Sequence, residues 1–437
     1  MSADRPHIVM YLSDDHGREY LGSYGNPAIR TPNIDTLAAE GVRFTNAFTP
    51  APTCAPSRST LFSGLYPARH GAINNHAACR ADLTTAPARL RDLGYRVVLV
   101  GKKHVRPEAT FDFEYVPGLL PKRDDRLRRY RTEGIDVGAV EGILAGHAGR
   151  AQPLCLVVGD SSPHVTWEPN RTYDPAALPL PPYMVDTPTT RRAMANYYQD
   201  ITTMDGRVGD VLDMLRRLGY QDDTLFLYTT DHGAEWPHAK WSVYDGGIHV
   251  PFLARWNGRI APGSVNTAMI SHVDLLPTLL EAAGGQAPHD LDGRSYLDVL
   301  LGGAPTFRDR IYAAHNRDGD MNVFPQRCVR TAKYKYVRNL TPEATFTSHF
   351  TEVDDIPESH GTIWKTWVER AETDADAAAL LHLIRHDGHP VEELYDLEAD
   401  PYELDNRVAD GALAPVVQGL RADLERWMAD QKDPGLV

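Results

Sequence analysis

Cysteine, positive charge and long apolar runs are all scarce in this sequence, and each scarcity removes a class of protein. The 437 residues include only four cysteines, Cys54, Cys79, Cys155 and Cys328. Their spacings fit no zinc-binding pattern and are too sparse for a disulfide framework. Lys and Arg number 45 against 59 Asp and Glu, a formal net charge of −14. That surplus of negative charge argues against nucleic-acid or anionic-membrane binding, so an anionic ligand would need a local pocket of cations. No apolar segment approaches the roughly 20 residues that span a bilayer. The opening "MSADRPHIVMYLSDD" lacks a basic stretch followed by a long apolar one, so no export signal is read and a cytoplasmic protein is expected. There is no internal repeat and no low-complexity tract.

What is present is ordinary globular material, 42% hydrophobic and 24% charged. "HIVMYLSDDHG" reads as a buried strand tipped by acids. "NIDTLAAEG" has a helical spacing that stops at Gly41, and "LRDLGYRVVLVGKKH" a helix end at Gly94 followed by a buried strand Val97–Val100. "PLCLVVGDSSPH" and "DTLFLYTTDHG" repeat the apolar strand with a polar tip. Between them, Arg191 to Leu218 carries a helical stripe of Ile201, Met204, Val208, Val211, Leu212 and Leu215. Strands alternating with helices predict an α/β fold on a large, mostly parallel or mixed sheet flanked by helices. Ligands of such sheets sit beyond the carboxyl ends of the strands. Asp14-Asp15, Lys102 to His104, His164 and Asp231-His232 should therefore converge. After residue 318 the texture shifts to edge-like strands, "RCVRTAKYKYVRNL" and "EELYDLEADPYELDN", and a closing helix, "LAPVVQGLRADLERWMADQ". The expected division is an α/β catalytic domain over 1–318 and a smaller α+β domain over 319–437. Arg123 to Gly149, charged and short of strong apolar periodicity, and Thr345 to Asp374, irregular, are each candidates for an insertion over the site.

One cysteine is out of character. Cys54 lies in "TPAPTCAPSRSTLFSGLYPARHG", read here as a Pro-rich loop, four residues before Arg58. "C-A-P-S-R" with the "STLFSG" that follows, set after "SDDHG" and before "GKKH" and "TDHG", resembles the type I sulfatases of the alkaline phosphatase superfamily. The resemblance covers nearly the whole chain. "VGKKHVRPEATFDFEY" looks closest to the branch that contains heparan N-sulfatase, the sulfamidases. Two departures stand out: Lys240 in "HAKW" where that branch has Arg, and Asp231-His232 where it has Asp-Asn. An ammonium is a point charge and a guanidinium a planar fork, so the first exchange is not conservative.

The resemblance implies that Cys54 is oxidised by a formylglycine-generating enzyme to formylglycine, an aldehyde that hydrates to a gem-diol. It implies one divalent metal held by Asp14, Asp15, residue 54, Asp231 and His232. Calcium is the metal implied by resemblance and suits the oxygen-rich set, Mg²⁺ suits it too, and the imidazole keeps Mn²⁺ open. Arg58 would hold the residue-54 side chain, Lys102 and His104 would flank it with His104 as a base, and His164 and Lys240 would bind the sulfuryl group, one of them protonating the departing atom. The implied substrate is a small sulfated or sulfamated molecule, with cleavage of an N–S bond. Alternatives remain: an O-sulfate ester of an aryl, choline or sugar group, a phosphodiester or phosphonate monoester, or an anion-binding protein with Cys54 still a thiol. A homo-oligomer is left open. His76 in "NNHAA" and Trp241 are further candidates for the walls of the cleft, while Cys79, Cys155 and Cys328 are expected to be inert.

Overall fold

A computed structural model describes residues 5–121, 132–352, 360–385 and 390–435. Ten described strands precede residue 300: β1 His7–Ser13, β2 Val42–Phe48, β3 Arg96–Gly101, β4 Glu114–Val116, β5 Leu119–Pro121, β6 Thr132–Ile135, β7 Leu154–Gly159, β8 Thr224–Thr230, β9 His249–Trp256 and β10 Ser264–Ser271. Eight of them form one sheet in the order β10-β2-β9-β8-β1-β7-β3-β4, while β5 and β6 pair separately. Within the large sheet β9 alone runs against its neighbours, and every other pairing is parallel. This is the expected α/β class, with a mixed rather than a purely parallel sheet.

The apolar runs are continuous because each central strand is buried on both faces. In β1, Val9 and Tyr11 enter one core with the stripe Ile201, Met204, Val208, Val211 and Leu215 of the long helix Pro188–Arg217. The alternate residues Ile8, Met10 and Leu12 enter a second core with Leu61, Phe62, Leu275 and Leu276. The long helix begins where Thr187 accepts the Thr190 N–H, and a left-handed Gly219 follows its end.

A second, antiparallel sheet comprises β11 Ile311–His315, β12 Gln326–Arg330, β13 Tyr334–Asn339 and β14 Glu392–Asp396, covered by the helix Ala414–Gln431. It begins at Ile311, ahead of the boundary read from the sequence. Two expectations are corrected. Residues Thr345 to Asp374 are not simply irregular, since helices His349–Glu352 and His360–Ala371 lie within them. Arg123 to Gly149 contains the strand β6 and the helix Val137–His147, and its first part lies outside the described residues.

Candidate active site

The Cys54 segment is not a loop. Cys54 opens the helix Cys54–Ser63, every residue of which is buried. Two prolines suggest a loop, yet Pro56 occupies the first turn, where its missing N–H has no helical partner to lose. Thr53 is extended and offers no side-chain cap; instead the Ala55 N–H donates to Asn75 Oδ1 at 3.0 Å. The cap therefore comes from another loop, which ties that loop to the residue-54 side chain.

Four strand ends deliver the remaining groups. Asp14 and Asp15 follow β1, with Asp15 in the left-handed region at φ 63°. Lys102 follows β3, His164 lies in the loop after β7, and Asp231-His232 follow β8. Backbones close tightly here: a Cβ on Gly233 would lie 1.8 Å from the Gly246 carbonyl oxygen, so only glycine fits after His232. Cys54 Sγ stands 3.3 Å from His232 Nε2, 3.6 Å from Asp14 Oδ1 and 3.7 Å from Lys102 Nζ. Ligand atoms of Asp14, Asp15, Cys54 and His232 all fall within 4.8 Å of one another. Asp231 sits at the edge of this set. Its Oδ2 accepts from Arg58 Nε at 2.8 Å, and its Oδ1 accepts the backbone N–H groups of Asp15 and His232.

Cations surround the cluster. Arg58 is wholly buried, reaches Asp14 Oδ1 at 3.6 Å and donates to the Lys102 carbonyl at 3.0 Å. Lys102 Nζ pairs with Asp14. Lys240 Nζ donates to Asp15 Oδ2 at 2.7 Å and to Glu235 Oε2 at 3.0 Å. His164 Nε2 lies 3.7 Å from Glu235 and 3.8 Å from Asp15. Lys103, by contrast, pairs with the exposed Glu108. His104 lines the cavity in front of Cys54, a space of about 360 Å³ that Asn75, His76, Trp241, Asp318 and His349 also line. Three lining residues, Glu235, Asp318 and His349, were missed in the sequence. Glu235 stands four residues past Asp231 and could have been found as an acid beside a motif, whereas the other two come from the C-terminal part of the chain and carry no local signal.

The donor set fits a divalent cation. His232 Nδ1 lies 3.0 Å from the Gly233 carbonyl, which fixes the proton there and leaves Nε2 as a lone pair. That lone pair faces Asp15 Oδ1 at 3.2 Å, and this buried oxygen accepts no hydrogen bond. Two electron-rich atoms so placed need a positive charge between them, which a proton or a divalent cation can supply. Electrostatics agree. Burial raises the Asp15 carboxyl well above the usual range, with Asp14 and Glu235 adding to the shift against Lys240. Burial acts the same way on Asp14, but Lys102, His164 and Arg58 together hold its carboxyl well below that range. Burial also pushes the Cys54 thiol well up, so the unmodified side chain is a poor nucleophile. Burial lowers His164 to about 4, and burial with Lys102 and His76 lowers His104 to about 2.

Comparison with known proteins agrees with this geometry. Residues 6–285 match the family model described as Sulfatase, and residues 233–360 the one described as N-sulphoglucosamine sulphohydrolase, C-terminal. The chain is 33% identical over 438 residues to an ulvan-active sulfatase of Formosa agariphila, covering 99% of this chain and 81% of that one. It is 29% identical to human N-sulphoglucosamine sulphohydrolase, covering 98% and 91%. A solved complex of a protein with its substrate D-glucosamine-2-N,6-O-disulfate superposes with a TM-score of 0.72 at 20% identity, covering 98% of each chain. Family match, fold and residue types agree: the chain belongs to the sulfatase family, hydrolases of sulfate esters or sulfamates.

Proposed function

We propose that this sulfatase is a formylglycine-dependent sulfamidase that cleaves the N–S bond of a small N-sulfated sugar or related sulfamate, releasing sulfate and an amine. The observation that carries the reading is the convergence on Cys54 Sγ, from separate strand ends, of His232, Asp14 and Lys102 within 3.7 Å. The charges suit the substrate. Asp14, Asp15, Asp231 and Glu235 outnumber Arg58, Lys102 and Lys240 by one. One divalent cation leaves this inner set with a single positive charge, which a sulfamate or sulfate monoester, a monoanion, cancels.

Asp14, Asp15, Asp231, His232 and the residue-54 side chain are the groups that would hold the cation, calcium by resemblance to the family, with Mg²⁺ and Mn²⁺ as alternatives. When bound, it supplies the positive charge that acidifies a nearby hydroxyl and draws electrons from the sulfuryl oxygens. Arg58, clamped between Asp231 and the Lys102 carbonyl, fixes the first turn that presents residue 54. Lys102 and Lys240 compensate the sulfuryl oxygens. His164 faces the leaving group. Its Nδ1 contacts the Val165 carbonyl at 2.7 Å, and the Glu235 carboxylate, 3.7 Å from Nε2, works against the burial that lowers its pKa to about 4 and so favours a proton at Nε2. An amine departs poorly unless protonated, so this pairing is what N–S cleavage needs. His104 takes a proton in the step that releases sulfate. Residues 1–318 act as the catalytic domain and 319–437 as a smaller partner closing the far wall of the cleft.

A second reading, O-sulfate ester hydrolysis, is favoured by the ulvan-active relative. Intact-mass measurement comes first: conversion of Cys54 lowers the mass by about 18 Da, and hydration restores it. Converted enzyme is then assayed in parallel on N-sulfoglucosamine, a 6-O-sulfated sugar and an aryl sulfate, with Cys54→Ala as the blank. Higher kcat/KM on the N-sulfated sugar supports the sulfamidase assignment. Turnover restricted to O-sulfates replaces it with the second reading, and turnover by Cys54→Ala overturns both.

A further inference from the structure

The cavity contains a histidine pair of which the roles above use only His104. His76 and His104 come from loops 28 residues apart, and both hold left-handed backbones, at φ 62° and φ 50°. Neither is glycine, Asn or Asp, so each conformation costs energy that the surrounding contacts must offset. The strain brings the rings together. His76 Nδ1 lies 2.8 Å from His104 Nε2, and the ring centroids are 4.8 Å apart. On its far side His76 Nε2 lies 3.3 Å from Asp318 Oδ1 and 3.4 Å from the Asn75 amide nitrogen, and of these two the carboxylate, charged and nearer, sets where the proton sits. Asp318 is in turn fixed, since its Oδ2 accepts the Trp241 Nε1–H at 2.9 Å. The backbones are joined too: the Asn75 N–H donates to the Arg317 carbonyl at 3.1 Å, and Asn75 pairs with Asp318 as an isolated bridge.

We infer that Asp318 and His76 form a proton wire that sets the tautomer of His104 and carries its proton between the cavity and water. The direction follows from the partners. A carboxylate can only accept, so the favourable neutral arrangement puts the His76 proton on Nε2. His76 Nδ1 is then an acceptor, and His104 must donate to it through Nε2. His104 Nδ1 is left as the lone pair. That atom is buried and has no partner among the described residues. With Nε2 turned to His76, Nδ1 is the nitrogen left to act as base in the cavity shared with Cys54. The opposite tautomers would set a lone pair of His76 against the Asp318 carboxylate.

The wire also has an outlet. The His76 side chain is 61% exposed, whereas Asp318 is 7% exposed. In the release step the base takes a proton from a hydroxyl on residue 54. The electron pair left on that oxygen closes the carbonyl, and sulfate departs with the pair of its C–O bond. As His104 Nδ1 gains that proton, Nε2 passes its own to His76 Nδ1. Asp318 balances the imidazolium until water takes the proton. His76 and Asp318 are thus positioning and relay residues that act through His104. This inference rests on the proposed role of His104 as a base.

The test is His76→Ala in the converted, metal-loaded enzyme, with His104→Ala alongside. Because His76 is exposed, the variant is expected to keep its melting temperature. Its kcat should fall about 10- to 100-fold with KM within about twofold, less than the roughly 100- to 10,000-fold that a base itself contributes, because His104 is still present. An aryl sulfate should then show a fast first turnover of leaving group followed by a slow steady rate. Added imidazole should restore much of kcat by occupying the vacated, solvent-open position, and Asp318→Asn should show the same burst without being rescued. If His104→Ala is inactive while His76→Ala keeps full kcat, or loses only KM, the wire is wrong and the role of His104 stands. If His104→Ala retains kcat, the role of His104 itself fails.

Discussion

Lys240 holds together groups that would otherwise repel. Its ammonium bridges Asp15 at 2.7 Å and Glu235 at 3.0 Å and lies 5.0 Å from the Trp241 ring centroid. The residue is 2% exposed, so the charge is nearly desolvated. Burial alone would lower its pKa, but Asp15 and Glu235 hold it well above the ordinary lysine range, keeping it charged throughout the working pH range. A planar fork cannot replace a point charge seated between two carboxylates without moving one of them. Lys240→Arg is therefore expected to lower kcat/KM about 100-fold, roughly 2.7 kcal/mol of transition-state stabilisation. Lys240→Met leaves two buried carboxylates uncompensated and should also cost about 3–5 kcal/mol of stability. Steady-state kinetics and urea unfolding of the two variants check this. At this scale the sequence is legible where residues cluster in motifs. Asp14-Asp15, Cys54, Arg58 and Asp231-His232 stand out because each neighbours others of its kind. Asp318 does not, because an acid in the polar loop "NRDGD" gains meaning only once folding sets it against His76.

Among the elements, the long helix Pro188–Arg217 shows how burial couples stability to pH. Asp205 on that helix accepts the Asn33 and Ile34 backbone N–H groups at 3.1 and 2.8 Å and so caps the helix Pro32–Glu40 from outside. Burial raises its carboxyl to about 6, although those hydrogen bonds work the other way. The folded state then holds the proton more tightly than the unfolded state, whose carboxyl titrates near 3.8. The stabilising contribution of this group is complete below 3.8 and is lost as pH rises through about 6. The two-unit gap corresponds to about 3 kcal/mol. Asp205→Asn should remove that dependence. The difference between the wild-type and variant unfolding free energies should change between pH 4 and pH 7 and stay flat above it.

The same scale shows what the sequence conceals. β1, β3, β7 and β8 are readable because two buried faces leave an unbroken apolar run. β2, "VRFTNAF", alternates buried with partly buried residues and merges in sequence with the helix before it. The reversal of β9 comes from its pairing with β2 and β8, which no local pattern records. Cys54 was misplaced because proline signals an interruption of structure, yet the first turn of a helix accepts it.

For the whole molecule the decisive contact is the seam between the two sheets. Lys335 on β13 is fully buried and meets Asp245 at 2.6 Å and Glu403 at 2.8 Å, with its Nζ also donating to the Val243 carbonyl at 3.1 Å. Arg330 on β12 joins Asp245 at 2.9 Å. Asp245 begins the turn into β9 and lies five residues past Lys240, so the seam and the site share one stretch of chain. Lys335→Ala leaves the buried Glu403 without a cation, whereas Asp245 keeps Arg330, and should cost about 3 kcal/mol. Activity should fall while the protein is still folded, because Lys240 and Trp241 lie just upstream. Differential scanning calorimetry with kinetics below the transition distinguishes this from simple loss of folded protein. Conversely, unchanged activity below the transition would show that the seam supports the fold alone.

The burial of Cys54 has a consequence in time rather than in space. Its side chain is 2% exposed at the head of a helix that has no accessible residue. A second protein that is to rewrite this thiol needs a slack length of peptide to grip, and the closed molecule offers none. The chance exists only while the nascent chain is still open. On the conversion proposed for Cys54, a copy that closes with its sulfur in place would keep it, so the converted fraction of a preparation, and with it the specific activity, would be set during synthesis and not in the test tube.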